Sequence, residues 1–248
     1  FEPPHSEIAY TLNNLASLYF DLADYDSALI YAKGGLAQRR VVFGPNHVET
    51  VASLGNVSRI YQLMKAYDSS LVYKIQMNQA METILPPAHP YRIGGLCQIA
   101  ALYLSKGEYK KAIEGYEKAV AMYKKLAEGQ KKGRYPVQGR ISYHGLAIGL
   151  FRIGEFGRAK EMVQRANELN ESIEKPNERI RANMKVTLGR ILIGQNDLAQ
   201  GEKLLLEAKA YLAPLTGDAR VDAYLDNIEA GLQEIKEKRN PSPEGEGA

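Results

Sequence analysis

Residues 96–119, LCQIAALYLSKGEYKKAIEGYEKA, decide how the rest of the chain is to be read. The stretch describes two amphipathic helices around a tight turn. Ala100 and Tyr103 lie in the first helix, Gly107 at the turn, and Tyr109, Ala112, Tyr116 and Ala119 in the second. The same skeleton recurs on both sides of it. His5, His47 and His89 stand 42 residues apart, as do Leu12, Leu54 and Leu96, and Tyr19, Tyr61 and Tyr103. A fourth copy arrives 47 residues on, at Ala147, Leu150, Phe156 and Ala159, with the five extra residues falling in 127–136. A fifth returns to the 42-residue step at Gly189, Leu192, Leu198 and Gly201.

A helix pair of this length cannot bury its apolar face alone, so a fixed period of this kind implies stacked pairs sharing one core. Small residues belong where two backbones cross, at Ala16/Ser58/Ala100/Ala147/Gly189 and Ala28/Ser70/Ala112/Ala159/Gly201. Tyr19/Tyr61/Tyr103/Leu150/Leu192 fill the space beside them, which assigns most of the tyrosine to the core. The expected boundaries are a short N-terminal extension (1–4), five repeats over 5–217 (about 5–46, 47–88, 89–135, 136–176 and 177–217), a capping helix over 218–238 and a polar tail over 239–248. Helices are expected near 6–22, 25–42, 47–64, 67–84, 90–105, 109–127, 137–153, 156–173, 178–194 and 197–213. Gly34-Gly35 and Gly94-Gly95 fall inside helices, where they imply close helix approach or, alternatively, a joint.

The segments HSEIAYTLNNLASLYFDLADYDSA (5–28) and FGPNHVET (43–50) make the pattern resemble the tetratricopeptide repeat, in its long 42-residue form found in kinesin light chains. The likeness runs over roughly 5–212 and frays in the later copies. It implies an all-α, right-handed superhelical solenoid, and it implies a non-enzymatic scaffold or adaptor that binds a peptide or protein segment in a concave groove. HEAT-type repeats share a period near 42, but the small-x-x-Tyr and Tyr-x-x-Ala pairs favour the tetratricopeptide form. A structural subunit of a larger assembly, or the sensor part of a longer protein, is the alternative.

By that resemblance the first helix of each pair lines the groove. The candidate residues are Tyr10, Asn13, Asn14, Ser17, Asn56, Arg59, Gln62, Gln98, Leu104, His144, Phe151, Asn183 and Arg190. A carboxamide both donates and accepts, so Asn13, Asn14 and Asn56 suit a peptide backbone irrespective of its side chains. Arg59 and Arg190 suit carboxylates. The later half of this face turns apolar at Leu104, Ile148, Phe151 and Ile193, which suits either apolar anchors of a ligand or cover by the chain's own last helix or a second copy.

Other chemistry is not expected. The histidines at the 42-residue step would lie ~10 Å apart, too far for one zinc site, and each opens a first helix. Cys97 is the single cysteine, and no phosphate loop, HExxH or GxSxG motif occurs. No catalytic residue, metal or cofactor is therefore expected. The balance of 32 basic and 29 acidic residues argues against nucleic acid, although Lys124, Lys125, Lys131, Lys132 and Arg134 cluster in the irregular loop. No apolar run approaches the ~20 residues of a membrane span. The expected partner is a protein or peptide, with a homo-oligomer or a stable complex also compatible. The compartment is not encoded: cytoplasmic is the default, and Phe1 in place of a start methionine leaves an exported or processed chain open.

Overall fold

A computed structural model of the chain describes residues 6–128 and 135–240. Among them every regular element is helical: α1 (Ser6–Asp21), α2 (Tyr25–Phe43), α3 (Val48–Leu63), α4 (Tyr67–Ile84), α5 (Pro90–Ser105), α6 (Tyr109–Glu128), α7 (Pro136–Arg152), α8 (Phe156–Glu171), α9 (Glu178–Gly194), α10 (Leu198–Leu212), a 3-10 turn (Ala213–Leu215) and α11 (Ala219–Arg239). His5, Lys131, Lys132, Arg134 and most of the expected tail lie outside the described residues. The chain separates into two compact units, 1–128 and 129–248, divided where the repeat spacing stretches from 42 to 47. Each is a stack of helix pairs of the tetratricopeptide-solenoid kind: α1–α6 in the first, α7–α11 in the second.

The periodic sequence punctuation explains the boundaries. The imidazole Nδ1 of His47 accepts from the Glu49 amide, and that of His89 from the Tyr91 amide, both at 3.2 Å. These histidines are N-caps, which satisfy donors that a helix start leaves free. Pro90 and Pro136 occupy the first helical position, where a missing N–H costs nothing. Each pair then closes through one left-handed residue: Ala23 (φ 59°), Lys65 (58°), Gly107 (76°), Gly154 (81°) and Asn196 (66°). The following amide reaches back to the carbonyl of Tyr19, Tyr61, Tyr103, Leu150 or Leu192 at 2.9–3.0 Å. Five turns thus share one C-capping geometry. Only two carry the glycine that this φ favours, so Ala23→Gly is expected to raise stability by roughly 0.5–1 kcal/mol, read as a higher urea midpoint at unchanged slope.

The small-residue ladder lies where the pairs cross. The Ser58 and Ser70 hydroxyls donate to each other's backbone carbonyls, at 2.9 and 2.8 Å. A methyl added at Gly189 would come within 3.1 Å of Gly201 O, so the two backbones touch. Neighbouring sites exchange volume at fixed register. Gly35 abuts the Asn13 amide, whereas one repeat on Gly55 abuts the Met77 sulfur. Gly35 and Gly95 are close-approach sites; Gly94 has open space beside it.

In the second unit α11 lays Val221, Ile228 and Ile235 on Ala182, Val186, Ile193 and Leu205 in one core. Its N-cap is Asp218, whose carboxylate accepts from the Arg220 amide at 2.9 Å. Burying three aliphatic side chains, each worth roughly 1.5–3 kcal/mol, makes this helix part of the fold.

Candidate functional site

Within the first unit a cleft of about 230 Å³ opens between α1 and α3, lined by Ala16, Ser17, Phe20, Asp21, Asn56, Arg59 and Ile60. Helix geometry assembles it. Ser17 and Asp21 are four apart on α1, Asn56 and Ile60 four apart on α3, so each pair shares one side of its helix. The Arg59 guanidinium lies over the Phe20 ring at 4.4 Å, a cation–π contact that leaves its N–H donors available. Ser17, Asp21, Asn56 and Arg59 are solvent-exposed. The cleft therefore offers a hydroxyl, a carboxylate, a carboxamide and a guanidinium over an apolar floor of Ala16 and Ile60.

Three expected residues, Ser17, Asn56 and Arg59, meet here. Asn14 and Gln62 are exposed on the same two helices but outside the lining. Tyr10 is exposed and lies over the Arg39 guanidinium at 5.4 Å. Asn13 is turned away. It is buried, its amide donates to Ala9 O at 2.8 Å, and its carbonyl accepts from Ser53 Oγ at 3.3 Å. Asn13 thus joins α1 to α3 inside the stack, with Gly35 of α2 against it. Gln98 is exposed and accepts from the buried Lys74 ammonium at 2.8 Å; burial lowers that lysine's pKa. Leu104 is half-buried on α5. Sequence reasoning missed Asp21, although its spacing of four from Ser17 was signal enough.

In the second unit His144, Phe151 and Arg190 are engaged by the protein itself, and Asn183 is half-buried and contributes its backbone carbonyl. The Thr187 hydroxyl donates to Asn183 O at 3.2 Å and so accepts from His144 Nε2 at 2.9 Å, which puts the proton on Nε2. Desolvation, with Arg140 nearby, pushes the His144 pKa down to about 4. Since the folded state holds the proton more weakly than the unfolded chain, this stability is complete above about pH 6.5 and drains away as pH falls towards 4. Between pH 7.5 and 4.5 the wild-type chain is expected to lose roughly 1–3 kcal/mol more than His144→Gln, measured by urea unfolding. Phe151 packs on Phe156, with ring centroids 6.0 Å apart, and under the Arg190 guanidinium at 5.9 Å. Arg190 in turn pairs with Glu234 of α11 at 3.3 Å. Ile193 is fully buried, and its carbonyl accepts from Lys238 at 2.9 Å. At α9 the cover of this apolar end comes from the last helix, which packs on Ile193 and pairs with Arg190.

A larger cleft, about 570 Å³, lies among α8, α9 and α10, with Val163, Met184, Leu188 and Leu204 as its apolar floor. None of the expected residues lines it. Its cations are already neutralised, Arg181 by Glu171 and Glu178, Lys185 by Glu207. In the smaller α1–α3 cleft the guanidinium of Arg59 and the carboxylate of Asp21 are in no ion pair among the described residues. Among the described residues no helix is long and apolar enough to cross a membrane.

Residues 7–74 and 93–126 match tetratricopeptide-repeat family models. No curated protein sequence matches the chain. The nearly identical TPR-like repeats of a Podosopora anserina protein assigned as a kinesin light chain are 20% identical, with 87% of this chain and 98% of that one covered at a TM-score of 0.68. RapI in its apo form is 15% identical over 93% of this chain and 62% of its own, with a TM-score of 0.71. YrrB, described as a TPR protein with an unusual peptide-binding site, is 10% identical over 87% of this chain and 90% of its own, at 0.50. At these identities the likeness is one of fold.

Proposed function

The chain carries tetratricopeptide repeats, and on that premise we propose that it is a non-catalytic scaffold holding an extended segment of a partner protein against α1 and α3. The observation that carries this reading is the cleft of Ser17, Asp21, Asn56 and Arg59, whose polar groups are exposed and unspent, unlike those of His144 and Arg190 in the second unit. Asn56 serves the peptide backbone by donating and accepting at once. Arg59, placed over Phe20, takes a carboxylate or a backbone carbonyl, and Asp21 opposes it with a site for an N–H or a cation. The apolar strip of Ala16 and Ile60 accommodates one small side chain between them. The peptide-binding site named for YrrB supports the reading at the level of fold alone.

Peptides selected from a random-sequence library on the wild-type chain are expected to lose at least tenfold in affinity for Asn56→Ala, Arg59→Glu, about 1.4 kcal/mol or more. Circular dichroism would show unchanged helicity, since both side chains are exposed. Equal affinity for both chains would exclude this cleft.

A further inference from the structure

One buried register of the repeat carries a charge in a single copy. Steps of 42, 42, 47 and 42 residues from Ala32 lead to Lys74, Tyr116, Val163 and Leu205. All five side chains are buried, Lys74 at 8% exposure. Apolar or aromatic residues satisfy the packing at the other four, so the fold does not call for an ammonium here. The charge is also costly, because a buried ion is stabilised only by compensating partners. The buried Arg39 guanidinium has such a partner in the Glu49 carboxylate, 2.8 Å away. Lys74 has none: among the described residues it is in no ion pair, and it donates to the neutral Gln98 Oε1 at 2.8 Å. An ammonium carries more N–H donors than that bond uses.

The ammonium ends where the row of groove carboxamides continues. Asn14, Asn56 and Gln98 stand 42 residues apart and are exposed on the first helices α1, α3 and α5. Asn56 lines the α1–α3 cleft, and Gln98 is its counterpart one repeat on. Lys74 reaches Gln98 from α4, the second helix of its pair. We propose, on the reading of the α1–α3 cleft as a peptide site, that Lys74 binds a Glu or Asp side chain of the segment held there. The carboxylate makes charge-assisted hydrogen bonds to the ammonium and removes the cost of an uncompensated buried cation. Gln98 orients the ammonium through its carbonyl and keeps its own amide N–H groups for the arriving chain. Packed helices lie roughly 8–10 Å apart, which is about three residues of extended chain. The acidic residue therefore stands about three positions from the residue beside Asn56.

The test selects peptides from a random-sequence library on wild type, Lys74→Met and Gln98→Glu. Carrier protein flanks each peptide, so that only side-chain carboxylates are on offer. Lys74→Met keeps an unbranched apolar stem and removes the charge. Gln98→Glu, at an exposed position, supplies Lys74 with a carboxylate from the chain itself. Wild-type selections are expected to contain an acidic position where replacing the acid by its amide weakens binding about tenfold. On both variants the same replacement is expected to have little effect. Circular dichroism verifies the fold, and Gln98→Glu decides alone if Lys74→Met does not fold. If no acidic position behaves this way, the proposal is overturned. That outcome is distinct from failure of the cleft itself, which shows as peptides indifferent to Asn56→Ala, Arg59→Glu.

Discussion

Gly35→Met is expected to destabilise the α1–α6 unit by about 2–3 kcal/mol, because the new side chain must enter space held by the Asn13 amide. A Cβ at residue 35 already comes within 2.6 Å of Asn13 Nδ2. The next repeat solves the same packing problem the other way round, with Gly55 on the first helix and Met77 on the second, 3.3 Å from an added Cβ. The double substitution Asn13→Gly, Gly35→Met transplants that solution. It is expected to recover at least half of the loss, with a coupling energy in the range of about 0.5–3 kcal/mol seen for touching residues. Recovery stays incomplete because Ser53 loses the Asn13 carbonyl as acceptor. Urea midpoints of the wild type, both single variants and the double variant give the cycle. Additive losses would mean that the two sites do not share one packing space.

Ile228→Asp is expected to cost the second unit more than about 4 kcal/mol, since an ionised carboxylate would be buried without a partner. Ile228 is fully buried in the core that joins α11 to α9 and α10. The contrast is Glu229→Ala on the same helix. It removes only the exposed pair with Lys209, whose 2.6 Å contact is worth roughly 0–1 kcal/mol in water. Thermal unfolding with tryptic digestion distinguishes the two: the first variant should be cut rapidly within α11, the second no faster than wild type. Similar behaviour of both would make α11 an appendage instead of a cap.

The repeat architecture was legible because its signals are local and repeated. A capping histidine or asparagine, a proline at the first turn, a left-handed residue after the first helix and a small residue at each crossing place most helix ends within two residues. The site was less legible because a groove depends on which way a side chain points between neighbouring helices. Asn13 and Asn14 differ by about 100° around α1 and cannot share one side of it. Asn13 continues the buried Ala9–Ala16 row, a periodicity readable in the sequence and outweighed there by the suitability of a carboxamide. His144 and Thr187 are 43 positions apart, and Arg190 and Glu234 44, so their mutual satisfaction emerges only when helices from different repeats are placed together. The larger cleft needs three helices to form, and no segment of sequence encodes it alone.

The measurement closest to the central claim is NMR mapping of a library-selected peptide on the chain, following the Asn56 side-chain amide and the Ile60 methyls against the Met184 and Leu188 methyls. A peptide held as proposed shifts Asn56 and Ile60, and leaves Met184 and Leu188 where they were. Shifts confined to Met184 and Leu188 would place the ligand in the α8–α10 cleft and contradict the account.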